Sequence, residues 1–221
     1  MPDIRVIVTG DGSHSLLDAG LDETYHSRHG AMQESEYVFI EQGLHFRLER
    51  NRPSRLNIME VGLGTALNAW LTFRCPAIQS LPVQYFAVEK FPLPAAVWQQ
   101  LNYADADRKL FEDIHTLPWN SWQPVTDRIS LFKCEDTLQH LQMPDLKFDV
   151  IYYDAFAPGK QPEMWTLNML EKTVQNLQAG GVFVTYCAKG QLKRDLKSLG
   201  LAVESLPGPP GKREMVRAIR L

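Results

Sequence analysis

Between residues 56 and 187, short apolar runs rich in β-branched and aromatic residues alternate with longer amphipathic stretches. The runs at 56–61, 84–89, 129–134, 148–153 and 181–187 are too short for ordinary helices and read as buried strands. Stretches at 65–73, 94–101, 137–141, 163–177 and 191–199 read as the helices between them. Strands interleaved with helices predict a mostly parallel sheet covered on both faces. Two shorter runs, 201–206 and 215–219, form a late pair around Pro207-Gly208-Pro209-Pro210-Gly211. Together they predict an α/β, Rossmann-like fold with a seven-stranded sheet.

The pattern is different upstream. Residues 5–8 and 15–18 flank the turn Gly10-Asp11-Gly12-Ser13 and read as a hairpin, followed by a polar loop over 23–30. A helix begins near Ala31, runs past Val38, Phe39 and Ile40, and is expected to break near Gly43. Residues 1–53 are therefore expected to be an N-terminal extension laid on a main domain of residues 54–221. The piece 105–122 reads as a short helix and an irregular loop.

Composition narrows the class. At 221 residues the chain suits one sizeable domain with a proper core. No apolar run reaches the roughly 18 residues that span a bilayer, and the N-terminus lacks a signal-like apolar segment, so no membrane partner is expected. Cys75, Cys134 and Cys187 are scattered without C-x-x-C spacing, which fits a reducing cytoplasm and cysteines used as small hydrophobes. The net charge of −3 excludes bulk attraction to polyanions, but from Tyr186 onward eight basic residues face three acidic ones. That basic tail, including Lys212 and Arg213, reads either as a phosphate contact or as a solvated face.

Candidate chemistry sits where strands end. Glu60-x-Gly62-x-Gly64 closes the first strand of the main domain, and glycines at such a turn let backbone approach a ligand closely. Position 67 is Leu, so the third glycine of a dinucleotide cradle is missing. An acid before the glycines instead suits a cofactor carrying a cationic amino acid. Glu89 ends the next strand, where a carboxylate can accept from ribose hydroxyls. Asp136 follows the third, as a helix N-cap, a partner for an adenine amino group, or both. Asp154 follows the fourth and opens the loop Asp154-Ala155-Phe156-Ala157-Pro158.

The run Asp154 to Thr166 (D-A-F-A-P-G-K-Q-P-E-M-W-T), the closing G-K-R-E-M, and the early Y-H-S-R-H-G-A-M-Q-E-S-E-Y-V-F-I resemble the MnmC-like tRNA methyltransferase family. The resemblance implies a class I methyltransferase fold with S-adenosyl-L-methionine as donor and S-adenosyl-L-homocysteine as product. It further implies N-methylation of the 5-aminomethyl group of (2-thio)uridine at the tRNA wobble position, with the anticodon stem-loop as partner. Carried over by position, Glu60, Gly62, Gly64, Glu89, Asp136 and Asp154 become cofactor residues, and Asp154 with Ala155 and Phe156 the active-site motif. Tyr25, His26 and Ser27 become a lid or substrate wall, although a polar loop would read the same. Phe156, Pro158 and Trp165 join the expected acceptor side, Trp165 as the candidate for stacking on a splayed base. Trp119 and Trp122 are expected in core or loop packing. The bifunctional members continue into a flavin-dependent oxidase, and no second nucleotide-binding glycine motif occurs here. The expectation is methyl transfer alone, without FAD or metal, on an aminomethyl substrate supplied by a separate enzyme. Two other readings stay open: a related transferase acting on a small-molecule amine, and a non-catalytic cofactor-binding module.

Overall fold

The computed structural model describes residues 3–103 and 107–221. Strands β1 (Ile4–Val8), β2 (His14–Asp18) and β3 (Glu23–Thr24) form a small antiparallel sheet. The main sheet contains β4 (Leu56–Val61), β5 (Val83–Glu89), β6 (Trp122–Pro124), β7 (Ile129–Glu135), β8 (Phe148–Tyr153), β9 (Leu177–Thr185), β10 (Leu201–Pro207) and β11 (Glu214–Arg220). Their spatial order is β10-β11-β9-β8-β4-β5-β7-β6. The five strands β9, β8, β4, β5 and β7 are parallel, and β6, β10 and β11 pair antiparallel at the flanks. From β4 the chain winds outward through β5 and β7, then returns to β8 on the other side. The strand order therefore reverses between β4 and β8, where open α/β sheets leave a crevice at the strand ends.

All seven expected strands are present, and β6 is an eighth that the sequence reading missed. It is three residues long and ends in Pro124, which an edge strand tolerates because its outer side needs no amide donor. Among the expected helices, 137–141 is only a turn, with Thr137 Oγ1 accepting from the His140 amide at 3.2 Å. The long helix expected over 163–177 is split into a 3-10 turn, Pro162–Trp165, and a helix, Leu167–Val174. Thr166 between them is extended, and Leu177 already belongs to β9. The piece 105–122, whose residues 105 and 106 lie outside the described residues, contains the helix Arg108–Thr116.

The larger correction concerns Gly43. The helix does not break there: Ala31–Ser35, a π-helical stretch Glu36–His45, and Phe46–Arg50 run on continuously. Gly43 is instead the place where this helix touches the sheet. A Cβ there would sit 2.9 Å from Val184 Cγ2 and 3.2 Å from Tyr152 Cε1, both on fully buried strand residues. Further along, Arg47 Nη2 donates to Asp149 Oδ1 at 2.7 Å, and the Asn57 amide holds the other carboxylate oxygen at 2.9 Å. Burial raises the Asp149 carboxyl against these partners, so the ion pair pins the helix to β8 and β4 at a price in desolvation.

Apolar side chains cover both faces of the sheet. Trp70, Tyr85, Tyr152 and Phe39 pack on one side, with Phe86, Phe148, Tyr153 and Phe183 on the other. Among the described residues no helix is long and apolar enough to cross a membrane. The Gly43 contact yields a test. Alanine improves helix propensity by about 1 kcal/mol, but overpacking a rigid contact typically costs about 1–3 kcal/mol. Gly43→Ala is therefore expected to lower stability in urea unfolding, and a more stable variant would contradict the contact.

Candidate active site

A cavity of about 660 Å³ opens at the ends of β4, β5, β7 and β8, within the usual size range of small-molecule sites. The loop Gly62-Leu63-Gly64 and the loop Asp154-Ala155-Phe156 form its floor. Gly62 has φ +90°, and a Cβ there would lie 2.7 Å from the Asp154 carbonyl oxygen, so only glycine fits. The Gly62 amide donates to Val88 at 2.9 Å, and the Asp154 amide donates to Val61 at 2.9 Å. Backbone thus locks both loops to the same corner.

Three acids line this cavity where the sequence placed them. Glu89 receives the Gly64 amide at 2.9 Å on one oxygen and the Phe91 amide at 2.8 Å on the other. Burial raises its carboxyl while these amides oppose the rise. Asp136 faces the cavity and accepts from the Thr137 amide at 2.7 Å. Asp154 Oδ2 accepts from Asn68 Nδ2 at 2.9 Å. Burial, then the charge of Glu34, push the Asp154 carboxyl up to about 7, against the Asn68 hydrogen bond and the Lys212 cation.

Glu60 behaves differently from the expectation that it touches the cofactor. It is fully buried beneath the floor, absent from the cavity lining, with Asn68 Nδ2 at 3.0 Å and the Tyr85 hydroxyl at 2.8 Å. On β4 it shares a face with Leu56 and Ile58, under the helix Leu67–Arg74. Burial raises its carboxyl well above the ordinary range. Asn68 bridges Glu60 and Asp154, so Glu60 reaches the cavity only through that amide.

The loop before the first helix closes one wall. Tyr25, His26 and Ser27 all line the cavity, with the Tyr25 ring edge-on to Phe156 at 5.0 Å. His26 lies between Ser15 Oγ at 3.3 Å and Thr65 Oγ1 at 3.4 Å, and burial depresses it to about 4, which keeps the ring neutral at pH 7. Trp165 does not stack into the cavity. It is buried under the motif, donating from Nε1 to the Phe156 carbonyl at 2.7 Å, and so supports the loop's shape. Pro158 and Arg213 lie outside the cavity lining, and Arg213 is exposed. Trp119 and Trp122 also lie outside it, Trp119 under the Lys133 ammonium and Trp122 against Phe132.

Lys212 corrects the picture of a solvated basic tail. Its side chain turns into the cavity, ion-paired to Glu34 and lying over the Tyr186 ring at 3.8 Å. The sequence reading missed Glu34, Asn68, Gln161 and Tyr186. Tyr186 directly follows β9 and continues the series of strand-end residues, a signal that was available. Gln161 Oε1 accepts from the Phe156 amide at 3.2 Å, and no local pattern marks it.

The Asp154 environment makes a stability prediction. Unfolded, this carboxyl ionises near 3.8; folded, near 7. Between these values only the unfolded chain releases the proton, so stability from this group is full below about 4 and is lost as pH rises through about 7. Thermal melts of Asp154→Asn are expected to match wild type near pH 4. By pH 8 the variant is expected to be more stable by about 1–4 kcal/mol. A pH-independent difference would show that the carboxyl is not perturbed.

Comparison with known proteins agrees with this geometry. A family model described as S-adenosyl-L-methionine-dependent methyltransferase matches residues 94–220. The tRNA 5-methylaminomethyl-2-thiouridine biosynthesis bifunctional protein MnmC of Nitrosospira multiformis is 31% identical over 216 residues, covering 91% of this chain and 35% of the relative. Its Pseudomonas fluorescens (strain Pf0-1) counterpart is 33% identical, with 89% and 32% covered. The chain thus spans about a third of the length of these curated relatives. The crystal structure of MnmC2 from Aquifex aeolicus superposes with TM-score 0.85 at 25% identity, over 99% of this chain and 71% of that one. Spermidine synthase from Thermotoga maritima shares the fold alone, at TM-score 0.57 and 13% identity. With the family model covering more than half its length, and with a nucleoside-sized cavity at the sheet's switch point, the chain belongs to the S-adenosyl-L-methionine-dependent methyltransferase family.

Proposed function

We propose that this chain methylates the 5-aminomethyl nitrogen of a wobble (2-thio)uridine in tRNA, giving 5-methylaminomethyl-(2-thio)uridine. One observation carries the reading: a half-buried carboxylate, Asp154, faces the cavity directly beside the Gly62 cradle, in a chain whose relatives bear the name of that tRNA modification. The anticodon stem-loop is then the partner, a separate enzyme supplies the aminomethyl group, and the work is done in the cytoplasm.

The residues fit the donor. Gly62 and Gly64 line the cavity floor with bare backbone, Glu89 offers a carboxylate for ribose hydroxyls, and Asp136 one for an adenine amino group. When bound, the cofactor supplies a methyl group on a cationic sulfur. The chain's own task is to align the acceptor nitrogen and expose its lone pair. An alkylamine with a pKa of about 10 is neutral only about one time in a thousand at pH 7, a handicap of about 4 kcal/mol. Among the described residues, Asn68 engages Asp154 Oδ2 and leaves Oδ1 for the acceptor. A carboxyl near 7 is matched to orient an amine and take its proton at neutral pH. Trp165 and Gln161 hold the Phe156 backbone, keeping this geometry without touching the acceptor.

Purified protein, labelled S-adenosyl-L-methionine and tRNA from cells lacking this methylation test the reading by nucleoside mass analysis. Aminomethyluridine is expected to convert to methylaminomethyluridine. Asp154→Ala is expected to lose about 100-fold or more in turnover while retaining S-adenosyl-L-homocysteine binding. Gly62→Ala is expected to lose that binding. Turnover of free amines with no transfer to tRNA would replace the reading with a small-amine transferase.

A further inference from the structure

The acceptor end of the cavity holds a cation that the mechanism above does not use. Lys212 lies on the turn between β10 and β11, where its amide donates to Pro209 at 2.9 Å. Its ammonium pairs with Glu34 Oε1 and lies 3.8 Å from the centre of the Tyr186 ring. Glu34 is 4% exposed, and its second oxygen accepts from the Ser27 amide at 2.7 Å. The Tyr186 hydroxyl donates to the Ala155 carbonyl at 2.8 Å. Three segments remote in sequence thus fix one ammonium in the cavity that Asp154 lines. A surface lysine contacting phosphate would need neither the buried carboxylate nor the aromatic face.

Resting on the proposed acceptor, we propose that Lys212 is a positioning charge: clamped by Glu34 and Tyr186, it favours the uncharged form of the amine beside Asp154 and keeps Asp154 ionised to receive the proton. A fixed cation in a poorly solvated cavity disfavours a second cation, so the acceptor's pKa falls. The same cation lowers the Asp154 carboxyl, opposing burial and Glu34. The reaction balance is unchanged. The nitrogen–methyl bond forms, the sulfur–methyl bond breaks, the N–H proton passes to Asp154, and Lys212 neither gains nor loses a proton.

Other titratable groups face this point. From the N-terminal segment come Glu34, His26, Asp11 beside His26, and His29, which packs against Gly211. From the strand ends come Asp154, Tyr186 and Cys187, with Lys189 and Lys193 acting on Cys187 alongside Lys212. Burial depresses His26 to about 4 and raises Tyr186 and Cys187, so their charges hold steady across neutral pH.

The test is the pH dependence of kcat/KM on aminomethyl tRNA for wild type, Lys212→Met, Lys212→Arg and Glu34→Gln, with S-adenosyl-L-homocysteine and tRNA binding measured on each. Lys212→Met is expected to move the acid limb up by about one pH unit. That is about tenfold in rate below the limb, with convergence on wild type at high pH and unchanged cofactor binding. Arginine is expected to restore the wild-type limb, and Glu34→Gln to move it down. Coincident profiles for Lys212→Met and wild type would overturn the proposal. So would a loss confined to tRNA affinity with a shallower salt dependence, which marks a phosphate contact. No methylation of this tRNA by wild type would overturn the acceptor assignment and this proposal with it; wild-type turnover with coincident profiles overturns this proposal alone.

Discussion

Where β4 and β8 end side by side, the Asp154 carbonyl occupies the space that a Cβ on Gly62 would need, 2.7 Å away. The Asp154 amide meanwhile donates to Val61, and the Gly62 amide to Val88, so three strands share one corner. The parallel pairing of β4 with β8 continues to Val61 and Tyr153, which leaves the two loops no freedom to part. A cofactor loop and an acid are therefore delivered to the same point by backbone geometry. Side chains then only tune what the sheet has already placed.

The tuning is electrostatic. Glu60, Glu89 and Asp154 are each pushed up by burial, and Glu60 and Asp154 share one amide on Asn68. Among the described residues none of these three carboxyls has a salt-bridge partner, since Lys212 pairs with Glu34, so they favour a cationic ligand at their end of the cavity. A donor that carries positive charge on sulfur and on its amino group fits that arrangement. Tyr85 and Asn68 satisfy Glu60 internally, whereas Asp154 faces the cavity. At Asp154 the proposed function and fold stability are thus in tension.

Much of this was legible in the residues alone. Short apolar runs gave the strands because a doubly covered parallel sheet needs them, and the acids at 89, 136 and 154 stood at strand ends. Glu60 lies outside the cavity lining, and the signal for that was present. Its parity matches Leu56 and Ile58 on a central strand, and a side chain on that face points under a helix, not into a crevice. Gly43 looked like a helix stop because local propensity says so, and tertiary contact with Val184 and Tyr152 overrode it. Trp165 adjoined the motif loop, yet its indole turned inward to hold the Phe156 carbonyl. Glu34 and Lys212 are 178 residues apart, and no local pattern could have paired them.

That last pair joins parts of the chain that the parallel strands do not supply. What stands over this end of the cavity comes from outside the parallel strands: the Tyr25–Ser27 loop behind the small N-terminal sheet, Glu34 on the first helix, and the turn between β10 and β11. These parts meet through the Lys212–Glu34 ion pair and the hydrogen bond from the Ser27 amide to Glu34, beside the strand ends where the Tyr186 hydroxyl donates to the Ala155 carbonyl. The side proposed to meet the acceptor is accordingly built from different parts of the chain than the strand-end loops proposed to hold the donor.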